Sequence, residues 1–158
     1  MKVILPGSYD PVTLGHLDLI KRAASEYPEV FAVIFVNPEK KYLFSEKERL
    51  EMLRLAAADM PNVRVDFYSG RVVDYMREQG IEKIIKGYRN DTDIEYEKAQ
   101  ADYNFANGGY ETELYRCAEQ YENISSTLAR KAISEGTELE LILPEAVIGY
   151  IKGIKRDF

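Results

Sequence analysis

The spacing of apolar residues along the chain switches repeatedly between two patterns. "KVIL" (2–5), "VFAVIFV" (30–36) and "KIIKG" (83–87) are short, nearly unbroken apolar runs, the pattern of strands covered on both faces. "VRVDFY" (63–68) alternates, and "TELYRC" (112–117) predicts a fifth strand. Pro6-Gly7 is expected to stop the first strand. Between these runs the period lengthens: Leu17, Ile20, Ala23 and Ala24 fall at helical spacing within 14–25. "SEKERLEMLRLAAA" (45–58) opens with Ser45 and Glu48, which have the spacing of a capping box. Further helices are expected over 72–79 (closed by Gly80), over 91–107, over 125–134, and from Pro144 onward.

Strand and helix therefore alternate about five times, with no internal repeat, low-complexity tract or linker. That order predicts an α/β fold with a parallel sheet and right-handed crossovers, in one domain spanning 1–158. In such sheets ligands bind beyond the carboxyl ends of the strands, near the point where the strand order reverses. Three segments fall there: "PGSYDP" after the first strand, "NPEKK" after the second and "KGYR" after the fourth.

Composition narrows the choices. Lys and Arg number 21 against 27 Asp and Glu, a net charge of −6, which disfavours a nucleic-acid partner without a strong basic patch. A small anion needs only a few local cations, and Lys40, Lys41, Lys86 and Arg89 supply them at strand ends. No apolar run reaches the roughly 18 residues of a membrane span, so no membrane partner is expected. "MKVILPGSYD" is too short in apolar residues for a signal-peptide core, and Cys117 is the lone cysteine, so a reducing, cytoplasmic location is expected.

The loop "PGSYDPVTLGH" carries the only histidine of the chain, His16. It contains neither a P-loop nor a dinucleotide fingerprint. It does offer Gly7 for close backbone approach, a hydroxyl at Ser8, and a helix N-terminus whose N–H groups and dipole favour phosphate. An imidazole there can donate to a phosphoryl oxygen. Taken alone, a lone histidine near a helix start is more often a structural or exposed residue than a catalytic one. No metal-ligand spacing is evident.

Four segments, in order and spanning residues 3–131, carry a resemblance. "PGSYDPVTLGH" resembles the T-x-G-H variant of the H-x-G-H loop of the nucleotidyltransferase superfamily. "EKKYLFSEKERLEML" and "IIKGYRNDTDIEYEKAQADYN" are similar to the lysine loop and the R-G-x-R…F-E-Y-E segment of its phosphopantetheine adenylyltransferase branch, and "ISSTLAR" to the superfamily's I-S-S-T/S element. The resemblance implies a Rossmann-like five-stranded parallel sheet with helices on both faces. It implies transfer of AMP from ATP to 4'-phosphopantetheine with Mg²⁺ assisting, giving dephospho-CoA and pyrophosphate without a covalent enzyme intermediate. It also implies a homohexamer and feedback by CoA.

By the same resemblance, Ser8 would orient the attacking phosphate, His16 would stabilise the transition state, and Lys40 would bind the phosphopantetheine phosphate, with Lys41 as its neighbour. Val72 would touch the pantetheine arm, although plain helix core explains it as well, and Lys86 would grip phosphate. ATP would meet Ser8, Tyr9, His16, Gly87, Tyr88, Arg89, Glu97 and the stretch Tyr121, Glu122, Asn123, Ile124, Ser125, Ser126 and Thr127. Ordinary N-capping would account for one of those three hydroxyls. Arg130 adds either charge or an exposed helix residue. Departures from the family pattern are Lys86 for an arginine, which loses a planar fork, Asn123 for an aromatic, Thr127 for a serine, and no proline after the fifth strand. Rival readings are a sister enzyme that transfers CMP to a polyol phosphate and a silent nucleotide- or CoA-binding module.

Overall fold

The structure, a computed structural model, describes all residues 1–158. Its strands are β1 (Lys2–Gly7), β2 (Glu29–Phe35), β3 (Val63–Tyr68), β4 (Lys83–Tyr88) and β5 (Glu111–Arg116). The helices are α1 (Leu14–Glu26), α2 (Glu46–Ala56), α3 (Val72–Gln79), α4 (Asp91–Gly108), α5 (Ser126–Glu135) and α6 (Glu145–Lys152), with a 3₁₀ turn at Glu119–Tyr121. All strand pairs are parallel and the order is β3-β2-β1-β4-β5, so the strand order reverses between β1 and β4. This is the expected Rossmann-like architecture.

The pleat sorts the core. Val3 and Leu5 of β1, with Val30, Ala32 and Ile34 of β2 and Ile85 of β4, pack with α1, α2, α5 and α6 on one face. Ile4, Phe31, Val33 and Ile84 point the other way and pack with Tyr75 and Met76 of α3. Helices thus cover both faces, but unequally. α4 buries none of its residues, and Tyr96, Tyr103 and Phe105 stand exposed. No helix is long and apolar enough to cross a membrane.

The first strand differs from the expectation at Pro6-Gly7. β1 continues through both residues in register with β2, Pro6 opposite Val33 and Gly7 opposite Ile34. Its pairing with β4, however, is confined to Val3 and Ile4. A proline has no N–H to give to a second ladder. β1 and β4 therefore part at their carboxyl ends, at the point where the strand order reverses.

Candidate active site

Two cavities open at the carboxyl edge of β1 and β4, on opposite faces of the sheet. The first, of about 340 Å³, is bounded by Pro6, Gly7 and Ser8, by Val72 at the start of α3, by Lys86, and by Tyr96, Glu97, Gln100, Ala101 and Asn104 of α4. The second, of about 200 Å³, is bounded by Thr13, Gly15, His16 and Leu19 of the α1 start, by Gly87, Tyr88 and Arg89, and by Cys117, Tyr121, Ile124, Ser125 and Ser126. Adjacent residues of β4 feed the two sides: Lys86 reaches the first and Gly87 floors the second. A Cβ at position 87 would overlap a methyl of Leu19, so only glycine fits without displacing that side chain.

The loop between β1 and α1 is tied down from three directions. Arg49 Nη1 donates to the Ser8 carbonyl at 3.0 Å. The buried Asp10 carboxylate accepts the N–H groups of Leu43 and Phe44, at 2.9 and 3.0 Å. Arg130 donates to the Asp10 carbonyl at 2.9 Å, and Ser126 Oγ to the Pro11 carbonyl at 3.0 Å. Arg130 is therefore a tether for this loop rather than a free surface charge. Tyr9 sits at φ 48°, in the left-handed region that non-glycine residues seldom occupy. Its side chain is buried and donates to the Leu5 carbonyl at 2.8 Å, and Tyr9 lines neither cavity.

His16 occupies the third position of α1 and takes the part usually played by Glu in a capping box. Thr13 Oγ1 accepts the His16 N–H, and His16 Nδ1 accepts the Thr13 N–H at 3.0 Å. With Nδ1 facing an N–H donor, the ring proton resides on Nε2, the nitrogen free to donate elsewhere. The ring lies 4.9 Å from that of Tyr9. Burial, then the charges of Lys86 and Arg89, hold its pKa down to about 4, so the imidazole is neutral at physiological pH.

Of the remaining expected residues, Lys86 and Glu97 share the first cavity, with Nζ 3.6 Å from a Glu97 carboxylate oxygen. Burial pushes the Glu97 carboxyl above its ordinary range, opposed by Lys86. Glu97 thus lies beside Lys86 and not among the walls of the second cavity. The Glu97 oxygen facing Lys86, Oε2, has only that long ion contact, and the buried Thr112 hydroxyl of the same cavity has no hydrogen-bond partner, a cost that a polar ligand would relieve. Val72 both lines the cavity and packs against the α3 core.

Arg89 Nε holds Asp93 at 2.9 Å. The three hydroxyls at α5 all have protein partners: Ser125 accepts the Leu128 N–H, Ser126 donates to Pro11, and Thr127 accepts from Arg130. The open N–H groups of this helix start remain for a ligand. Glu122, Asn123 and Thr127 are exposed and line neither cavity. Lys40 and Lys41 are exposed as well, and Lys40 flanks a separate shallow pocket on the outer side of the 37–45 loop, 5.6 Å from the Tyr42 ring. The structure does not bring Lys40 into the first cavity with Ser8 and Lys86. Arg49, Asp10, Leu19 and Cys117 carry no local sequence signal for a place at this site, whereas Thr13 belongs to the T-x-G-H motif and stands at cap spacing from His16.

Residues 4–132 match the cytidylyltransferase-like family. Over 153 residues, 96% of each chain, the protein is 39% identical to a phosphopantetheine adenylyltransferase of Corynebacterium efficiens. The chain belongs to the phosphopantetheine adenylyltransferase family. It is thus a nucleotidyltransferase, with the Rossmann-like fold found here. The two cavities lie on either side of the point where β1 and β4 part.

Proposed function

We propose that this chain transfers the adenylyl group of ATP to 4'-phosphopantetheine, giving 3'-dephospho-CoA and pyrophosphate for coenzyme A biosynthesis. The observation that supports the assignment of sides is the pair of cavities at the carboxyl ends of β1 and β4, one lined by Ser8 and Lys86 and the other by His16. The first cavity, with its apolar Val72 and its buried Glu97 and Thr112 oxygens, suits an amide-bearing pantetheine arm. The second, with Gly87 as floor and a helix start as rim, suits a nucleotide and its phosphates.

In the step itself, a phosphate oxygen of phosphopantetheine attacks the α-phosphorus of ATP. The bond from that phosphorus to the bridging oxygen breaks, and pyrophosphate leaves with its electrons. The nucleophile is already anionic, so no general base is needed; alignment and charge stabilisation dominate. His16 Nε2–H donates to an α-phosphoryl oxygen, Ser8 orients the attacking phosphate, and Lys86 and Lys40 offset its charge, Lys40 after moving in from its outer position. Arg89 and the α5 start hold the β- and γ-phosphates. Tyr9 contributes backbone; Tyr121, Ile124 and Tyr88 flank the base.

No group of three His, Cys, Asp or Glu side chains comes together to cage a metal. Mg²⁺ would accompany ATP and offset charge on the phosphates during transfer. A homohexamer in the cytoplasm, with CoA as a feedback ligand of the first cavity, completes the proposal.

Pyrophosphate release on mixing the protein with ATP, Mg²⁺ and 4'-phosphopantetheine tests it. Turnover confined to CTP and a polyol phosphate, or tight CoA binding with no turnover, would overturn it. His16→Ala should lower kcat by about 10²–10³-fold while ATP affinity in the ground state changes little, the pattern of a donor used mainly in the transition state.

A further inference from the structure

Arg49, in the first turn of α2, is 1% exposed and makes no ion pair. That is an expensive arrangement. A buried cation is normally matched to a carboxylate, and a cation in the first turn of a helix also opposes the helix dipole. The carboxylates of the same region are engaged elsewhere. Glu48 accepts from Arg156 at 2.7 Å and from the Ser45 N–H at 2.9 Å. Asp10 accepts the Leu43 and Phe44 N–H groups and lies 3.7 Å from Arg130. Arg49 Nε has no hydrogen-bond partner at all.

What the guanidinium does touch is informative. Nη1 donates to the carbonyl of Ser8, at 3.0 Å. The guanidinium carbon lies 3.9 Å from the centre of the Tyr42 ring. Tyr42 in turn belongs to the loop that carries Lys40: its hydroxyl accepts the Asn37 N–H at 3.1 Å, and Lys40 Nζ lies 5.6 Å from its ring. One side chain therefore joins the Ser8 loop after β1 to the Lys40 loop after β2. A planar guanidinium can offer an in-plane N–H and a flat face at once; an ammonium cannot.

We propose that Arg49 is a positioning residue for the phosphate of the acceptor substrate, setting Ser8 and the Lys40 loop in register through its hydrogen bond and its stack on Tyr42. Its uncompensated charge adds positive potential beneath the place where two polyanions meet, which accounts for its burial without a counter-ion. Of the residues Arg49 meets, Ser8 borders the first cavity and none borders the second, so its influence falls chiefly on the acceptor side. The proposal rests on the reading of the first cavity as the phosphopantetheine side.

The test compares Arg49→Met, Arg49→Lys and Tyr42→Leu with the unaltered protein, measuring kcat and both KM values, thermal stability, and the Kd of 4'-phosphopantetheine by calorimetry. Arg49→Met should raise the KM and Kd for phosphopantetheine roughly tenfold or more, with the KM for ATP within about twofold. Arg49→Lys should not rescue this, because it keeps charge but loses the fork and the flat face. Tyr42→Leu, at a partly exposed position, should reproduce a smaller loss with the same split, and it decides the matter if the Arg49 variants do not fold. Equal changes in both KM values, a fall in melting temperature with no KM change, or full rescue by lysine would each overturn the proposal. If the unaltered protein shows no turnover, the functional reading fails instead, and the calorimetric comparison still judges Arg49.

Discussion

Because His16 is the only histidine, its ring can be followed as a single signal in a carbon–proton NMR titration. The midpoint should fall near pH 4, where burial and the charges of Lys86 and Arg89 place it, against 6.5 for an unperturbed imidazole. Lys86→Met should move it upward, since a repelling cation has gone; a midpoint near 6.5 in the unaltered protein would remove the basis for a neutral donor. The sign for stability follows from the same values. Between pH 6.5 and about 4 the unfolded chain takes up a proton that the folded ring refuses, so stability falls as pH drops through that window and is not eroded by this group above it. Denaturant midpoints measured across the window should show that slope, and His16→Gln should flatten it. Catalysis should not follow this titration above pH 5. The rate should fall below about pH 6 with the second ionisation of the substrate phosphate, in the unaltered protein and in the residual activity of His16→Ala alike.

Two helices open with capping boxes of the same form and different use. At α2, Ser45 and Glu48 exchange side-chain and backbone bonds, an arrangement readable from the residues because Glu is the usual third-position partner. Ser45→Ala should cost about 1 kcal/mol and lower the melting temperature by about 2–4 °C, with kcat unchanged in a pyrophosphate-release assay. At α1, the equivalent exchange runs between Thr13 and His16, and there the cap also fixes the ring tautomer. Thr13→Val keeps the backbone bond to Nδ1 but loses the hydroxyl, and should lower kcat about tenfold in the same assay. That double use was hidden in the sequence, where His16 read as either a phosphate donor or a plain helix residue.

The elements themselves were legible because apolar period and caps are local properties; Gly80 indeed closes α3 in the left-handed region at φ 68°. What was not legible was tertiary: Pro6 lying within β1 beside a gap, Lys40 standing outside the cavity, and Arg49 buried between two loops. Nothing in the local pattern of α2 distinguishes an arginine facing water from one drawn under a strand end.

The two faces of the sheet are covered unequally, and this bears on how the protein assembles. α4 buries none of its residues, yet Tyr96, Gln100 and Asn104 of this helix wall the first cavity. Tyr103 and Phe105 are 50% and 60% exposed, large apolar surfaces that a soluble chain seldom leaves open without a partner. Further copies of the chain covering α4 would explain both facts, and the proposed hexamer supplies them. Replacing Tyr103 and Phe105 together by Glu should lower the mass seen by light scattering, with the far-ultraviolet circular dichroism retained. If α4 is held in place chiefly by a neighbouring copy, the same double variant should raise the KM for 4'-phosphopantetheine several-fold and leave that for ATP unaltered, because α4 contributes no residue to the second cavity. An unchanged mass would show that α4 needs no neighbour, and the wall of the first cavity would then be held by β5, β4 and α3 within a single chain.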